Sequence, residues 1–221
     1  MTNHPLRATA AILCAALALA GCSSEKDPAS GGQMVKAAAS AVLSGRKAGE
    51  AKPITRAELN AYKTPMIEIK VPQTGLTAYV VPISNANGVE TWASASDQSV
   101  SFRDGIMVAT RGFGPDLMRS EGPSLARIAQ GTGTVTRRMT WLDGSDAVQQ
   151  FDFVCELSVA GSESITVVDR QHSTRHVLEH CTGKHGGFTN EYWLEGGNFL
   201  RKSKQLLVIS WEPATLSRVI D

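Results

Sequence analysis

Histidines recur at positions 172, 176, 180 and 185, and Cys181 stands beside the third of them. The chemistry they suggest is zinc ligation. On a helix, His176 and His180 would share a face one turn apart and could hold one ion. On a strand they also share a face, but four residues then span roughly 13 Å, too far for one ion to bridge. The β-branched flanks favour the strand, which makes these surface or hydrogen-bonding histidines, so no metal is expected. Glu179 in the same stretch reads as a solvated or paired carboxylate.

A second constellation runs from Phe188 to Gln205. Asn190, Tyr192 and Leu194 alternate with Glu191, Trp193 and Glu195, and Arg201, Lys202, Lys204 and Gln205 follow. Aromatic rings beside planar amide and guanidinium groups can form a sugar-binding face, because rings stack on C–H faces and the planar groups hydrogen-bond hydroxyls. The alternative is that Tyr192 and Trp193 are ordinary strand aromatics. Signals for catalysis are missing. No G-x-S-x-G nucleophile elbow is present, and Gly131-Thr132-Gly133 lacks the Lys-Ser/Thr pair of a phosphate loop. No carboxylate pair can be placed across a cleft by spacing alone. Neither catalytic residues nor a cofactor is expected.

The cysteines divide by position. Arg7 precedes an apolar stretch, Ala8 to Ala20, that is shorter than the roughly 20 residues needed to span a bilayer. It has the length of a signal-peptide core. Leu19-Ala20-Gly21-Cys22 then looks like a lipobox, with small residues for the peptidase cleft and the Cys22 thiol for the diacylglycerol. Ser23 follows where an aspartate would signal inner-membrane retention, which favours the outer membrane. Several acyl chains anchor stably, whereas a single one binds marginally. Cys14 leaves with the leader. Cys155 and Cys181 remain, and a disulfide is the default reading in an oxidising compartment. Two free buried thiols or a metal site are the rivals.

Charge narrows the partners. The chain carries 22 basic and 21 acidic residues. The leader holds one basic and no acidic residue, so the processed chain is neutral. With no basic block, nucleic-acid binding has no electrostatic footprint.

The elements that must position these residues are mostly strands. Residues 1–21 read as signal peptide, 22–33 as a lipidated flexible tether, 34–65 as a short helical segment and 66–221 as an antiparallel β domain. Met34 to Leu43 is alanine-rich and suits a helix, and Thr55-Arg56-Ala57-Glu58 has capping-box spacing for a second, running to about Tyr62. From Met66 the period is two. Strands are predicted at Met66–Val71, Leu76–Ile83, Val89–Ala93, Ser99–Arg103 and Ile106–Arg111, with Asp104-Gly105 as a hairpin turn. Asp143-Gly144 repeats that turn signal. In the run that follows, Phe151, Phe153, Cys155, Leu157 and Val159 share a face, placing Cys155 on the core side. Gly114 to Gln130 breaks the pattern and suggests two short helical turns. Further strands are predicted at Ile165–Val168, His176–Cys181, Phe188–Leu194, Phe199–Gln205 and Leu206–Trp211, with Gly196-Gly197 as a turn. The fold class is mainly β, an antiparallel barrel- or sandwich-like domain with short N-terminal helices after a lipoprotein signal peptide.

Several stretches together resemble one family. Asp104-Gly105 with Ile106 to Gly114 resembles its "DG-apolar-x-T-x-G-x-G" hairpin, continued by Asp116-Leu117. Glu179-His180-Cys181 resembles its "E-x-C" strand. Phe188-Thr189-Asn190-Glu191-Tyr192-Trp193-Leu194, then Gly197, Arg201, Ser203 and Gln205, resembles its "F-x-N-x-Y-W … G … R-x-S-x-Q" signature. This is the YjbF/GfcB family, lipoproteins of group 4 capsule and related exopolysaccharide operons. Leu200 and Leu206 stand where the family often has tryptophans. The resemblance covers roughly Ile67 to Ile209 and implies an antiparallel β domain.

It also implies a role in producing or exporting an extracellular polysaccharide. The implied partners are the membrane through the N-terminal lipid, companion operon proteins including an outer-membrane barrel, and the polysaccharide itself. Candidate glycan- or partner-binding positions are Arg111, Asp116, Asn190, Tyr192, Trp193, Arg201 and Gln205, and Arg111 is expected to pair with Asp116. The expected function is a non-enzymatic accessory lipoprotein at the periplasmic face of the outer membrane. The alternatives are a polysaccharide-modifying enzyme and an assembly lipoprotein for the companion barrel.

Overall fold

The computed structural model describes residues 54–142, 145 and 147–221. The signal peptide, Cys22, the tether, the alanine-rich helix and the Asp143-Gly144 turn lie outside the described residues.

Helix α1, Arg56–Asn60, starts at a capping box: Glu58 N–H donates to Thr55 Oγ1 at 3.2 Å and Thr55 N–H donates to Glu58 Oε2 at 2.6 Å. It stops two residues short of the predicted Tyr62. Twelve strands follow: β1 Met66–Val71, β2 Leu76–Ala86, β3 Val89–Ala93, β4 Ser99–Arg103, β5 Ile106–Arg111, β6 Leu117–Glu121, β7 Gly133–Leu142, β8 Val148–Val167, β9 Arg170–Gly183, β10 Gly186–Glu195, β11 Phe199–Gln205 and β12 Ala214–Ile220. Helix α2, Leu125–Ala129, lies between β6 and β7.

All the strands join one antiparallel sheet in the order β5-β4-β3-β2-β1-β12-β11-β10-β9-β8-β7-β6. Every strand neighbours the next one in sequence except across β5 and β6. The chain therefore runs as an up-and-down meander whose ends, β1 and β12, pair with each other. The result is a nearly closed barrel with its seam between β5 and β6. Asp104 (φ 50°) and Gly105 (φ 80°) make the predicted two-residue turn, the geometry that matches the twist of flanking strands.

Three predicted elements differ. The segment from Gly114 to Gln130 holds one helix and a strand, β6, because Leu117 and Ser120 turn inward while β6 pairs with β7. Ile165 to Val167 is the far end of β8, continuous with it through a bulge between Val159 and Gly161, and Val168 opens the turn to β9. Leu206 to Trp211 is not a strand. Its apolar run folds irregularly into the core, where Leu206, Leu207 and Val208 are buried and Leu207 C=O accepts from Trp141 Nε1 at 3.0 Å. The last strand is β12, which the sequence reading missed.

Inward positions carry the core. Ile67, Ile69, Trp92, Phe102, Met139, Trp141 and Phe153 belong to one buried cluster; Leu157, Val177, Tyr192 and Leu194, with Leu125 and Ile128 of α2, belong to another. Outward positions on β7 and β8 are mostly charged or polar, among them Arg138, Asp152 and Glu156, with Val154 an exposed apolar exception. This alternation is the reverse of a lipid-embedded barrel, which is apolar outside and polar within. Cys155 and Cys181 are cross-strand partners on β8 and β9, fully buried and bonded at S–S 2.01 Å.

Candidate functional site

The inward face of β7, β9 and β10 carries a polar layer through the apolar core. Arg137 sits among Val135, Met139 and Trp141 on β7, and Glu179 sits between Val177 and Cys181 on β9. Arg137 Nε donates to Glu179 Oε1 at 3.0 Å, and a terminal nitrogen donates to Glu179 Oε2 at 2.8 Å, a bidentate pair. Asn190 Nδ2 (2.9 Å) and the Tyr192 hydroxyl (2.7 Å) donate to the same Oε2. The other arm of Arg137 reaches Ser120 Oγ at 3.2 Å. Burial, and then the Glu179 charge, hold the Tyr192 phenol well above its usual pKa, so it stays a proton donor. Burial disfavours the charge on Arg137, but Tyr192 and Glu179 outweigh it and raise its pKa.

The layer continues toward the seam. Asn190 Oδ1 accepts from Leu206 N–H at 2.8 Å. Gln205 Oε1 accepts from Met107 N–H at 2.8 Å, while its Nε2 donates to Gly105 C=O and Ser203 Oγ, both at 3.0 Å. Gln205 thereby ties β11 to the β4–β5 turn across the interior. The polar positions of the signature are thus occupied by one another and by backbone. Asn190, Tyr192 and Gln205 are buried and present no face to a ligand.

Trp193 points outward but is 5% exposed. His176 stacks on its ring at 4.3 Å, Lys202 lies 4.8 Å from the ring centroid, and Glu163 accepts from its Nε1. His176 Nε2 lies 2.9 Å from Glu191 Oε2, close enough for charge attraction yet not aligned as a hydrogen bond. His172, His176 and His180 occupy β9 and His185 the β9–β10 turn, each with its own partner: His172 contacts Glu195 at 3.0 Å, His180 contacts Thr189 at 2.9 Å and His185 packs edge-on against Phe151. Cys155, Cys181 and Glu179 lie together, but the sulfurs are bonded to each other and the carboxylate is filled.

Arg111 and Asp116 work at the seam, not as the expected pair. Asp116 accepts from Gly112 N–H at 2.9 Å and from Phe113 N–H at 3.2 Å. Arg111 instead donates to the carbonyls of Thr110 and Leu117. Leu117 N–H donates to Thr110 Oγ1 at 2.9 Å. These side-chain bonds bridge β5 and β6 where no ladder forms.

Arg201 is buried at the opposite end of the barrel, where Glu195 (2.7 Å) and Asp221 receive its guanidinium. Sequence reasoning missed three residues that matter here: Arg137, Arg218 and Phe199. Arg137 and Arg218 each carried a signal, a charge on the apolar side of an alternating strand. At this end the β2–β3, β4–β5 and β10–β11 hairpins and β12 border an open groove of about 360 Å³.

A solved structure shares the architecture. The crystal structure of the hypothetical lipoprotein YmcC from Escherichia coli (K12) superposes with a TM-score of 0.67 at 16% identity, covering 76% of this chain and 89% of that one. No curated protein matches the chain. The profile of the family described as "Group 4 capsule polysaccharide lipoprotein gfcB, YjbF" matches residues 35–217, a span that holds the whole buried polar layer. The chain belongs to that family, the group 4 capsule polysaccharide lipoproteins.

Proposed function

We propose that this protein is a non-enzymatic accessory lipoprotein in the production or export of an extracellular polysaccharide, held by acylated Cys22 at the periplasmic face of the outer membrane. The observation that carries the reading is the family match over residues 35–217, combined with the fate of the signature side chains. Asn190, Tyr192, Ser203 and Gln205 build the barrel interior. Their shared pattern therefore preserves a scaffold, and function falls to the outer surface and barrel ends, which suit binding. Companion proteins of the export machinery, an outer-membrane barrel among them, are the partners. Confinement to the membrane raises the effective concentration for such partners without any new contact.

Deletion of the gene, with the rest of the operon expressed, should lower surface or secreted polysaccharide. Restoration by the wild type but not by Cys22→Ala, which should fractionate away from the outer membrane, supports the reading. Unchanged polysaccharide in the deletion strain overturns it.

A further inference from the structure

The open groove at the barrel end holds an arginine whose guanidinium has, among the described residues, aromatic neighbours but no hydrogen-bond or ion-pair partner. Arg218, on β12, lines it together with Phe199, Asn198, Asn85, Glu90 and Asp104. Its guanidinium lies 4.6 Å from the Trp92 ring centroid and 5.9 Å from that of Phe199. Among the described residues no acceptor hydrogen-bonds to it and no carboxylate forms an ion pair with it. The contrast with its neighbour is direct: Arg201 is saturated by Glu195 and Asp221, and also donates to the Arg218 carbonyl at 3.3 Å. Burial, with the Arg201 charge adding, draws the Arg218 pKa down despite Glu90 and Asp221. A half-buried guanidinium with its fork free is costly unless something fills it.

The surroundings define what fits. A planar fork held against an aromatic ring is shaped for a carboxylate, which it can engage bidentately. Phe199 lines the groove and is 40% exposed, with the Arg201 guanidinium 4.5 Å from its ring centroid, so the exposed part of the ring is what a ligand meets. Asn85 and Asn198 add amides that both donate and accept. Glu90 and Asp104 are acceptors for hydroxyl groups and oppose a purely anionic ligand. A cavity of about 360 Å³ suits one or two sugar rings and is within the range of small-molecule sites. Charge at one point, hydroxyl partners around it and a ring to stack on describe an acidic saccharide better than an acidic peptide.

We propose that this groove binds a carboxylate-bearing sugar unit of the polysaccharide, with Arg218 receiving the carboxylate and Phe199 stacking on the ring. The proposal rests on the polysaccharide role argued above and names the ligand class of that role.

The test uses the full acylated protein in detergent micelles, titrated with oligogalacturonate, with maltotriose as the neutral counterpart and an acidic peptide as competitor. Binding should be read by nuclear magnetic resonance shifts and calorimetry. Oligogalacturonate should bind at least about tenfold tighter than maltotriose. Arg218→Gln and Phe199→Ala should each weaken it by about tenfold or more, whereas Lys184→Gln at the other barrel end should not. Phe199 is exposed, so its variant stays informative if Arg218→Gln folds poorly. Equal binding of the neutral sugar, preference for the peptide, or full affinity in Phe199→Ala overturns the assignment. In cells, a deletion phenotype that Arg218→Gln fully rescues sinks the groove but leaves the accessory role standing. A deletion without phenotype removes the role itself.

Discussion

Arg137 and Glu179 meet inside the barrel at 2.8 Å, with their side chains 2% and 0% exposed, although 42 residues separate them in sequence. Two charges so deeply buried are tolerable only because every neighbouring group serves them. Ser120, Asn190 and Tyr192 complete the coordination. Gly122 makes the room: a Cβ there would lie 2.9 Å from the Arg137 guanidinium.

Removing one partner strands the other. Arg137→Ala or Glu179→Ala should destabilise the fold by about 3–5 kcal/mol, the cost of an uncompensated buried charge. The double variant Arg137→Met with Glu179→Leu should lose much less, because it removes both charges and refills the space. Denaturant unfolding followed by tryptophan fluorescence measures all three. Single and double variants of equal stability would show that the pair is not isolated from water.

Reading the sequence caught the parts of this fold that are encoded locally. Asp104-Gly105 announced a hairpin because its two residues accept positive φ, and the alternation of β4 announced which side is buried, whereas β1 buries Glu68 along with its apolar side. Strand β12 was missed because Arg218 interrupts its apolar side, while the continuous apolar run at Leu206 to Ile209 imitated a strand and became a plug. The polar layer was legible only as a motif. Spacing cannot say that Asn190, Tyr192 and Glu179 converge, since their meeting depends on the register of β9 against β10 and on β7 arriving from the far side of β8. The same holds for the groove, whose residues come from β1, β2, β3, β4, α2, β11 and β12 and from the turns between strands.

The Cys155–Cys181 bond closes a loop with a sequence separation of 26. In the chain-entropy account it should contribute roughly 3 kcal/mol, chiefly by restricting the unfolded chain. Replacing both cysteines by alanine should lower the unfolding midpoint accordingly, and adding reductant to the wild type should do the same. Because the sulfurs lie in the core beside Glu179, the alanine variant should also unfold faster. A midpoint indifferent to reductant, with free thiols in the native protein, would mean the bond is not formed.

Acid should loosen the end of the barrel that holds Arg201. Burial disfavours the charge on Glu195 and Asp221, but His172 and Arg201 for the first, and Arg201 and then Arg218 for the second, outweigh it. Both pKa values fall below the ordinary 4.5 and 3.8. A carboxylate with a depressed folded-state pKa stabilises the protein fully above its unfolded pKa, and that stability disappears as pH falls through the folded value. Melting temperature should therefore be flat from pH 7 to about 5 and drop below about 4. In Arg201→Gln the neutral-pH value should be lower and the acid decline shallower, so the two curves converge on acidification. Parallel curves would assign the acid sensitivity elsewhere.

The last relationship joins the first helix to the longest hairpin. Arg56 on α1 donates to the carbonyls of Val168 (2.8 Å), Val167 (2.8 Å) and Val219 (2.9 Å). These bonds hold the β8–β9 turn, where Val168 has φ 42° and Asp169 φ 64°. A β-branched residue in the left-handed region costs roughly 1–2 kcal/mol, so the turn keeps this shape only while its surroundings enforce it. Leu59 and Ile54 pack with Val167 and Val219 in the same small cluster, adding apolar contact to the polar clamp. Arg56→Ala should leave the barrel folded but raise amide hydrogen exchange over residues 165–171, and Val168→Gly in that background should recover part of the lost protection by relieving the strained backbone. Exchange confined to the global unfolding rate in both variants would mean that the hairpin tip is held by the barrel alone and that α1 merely rests on it.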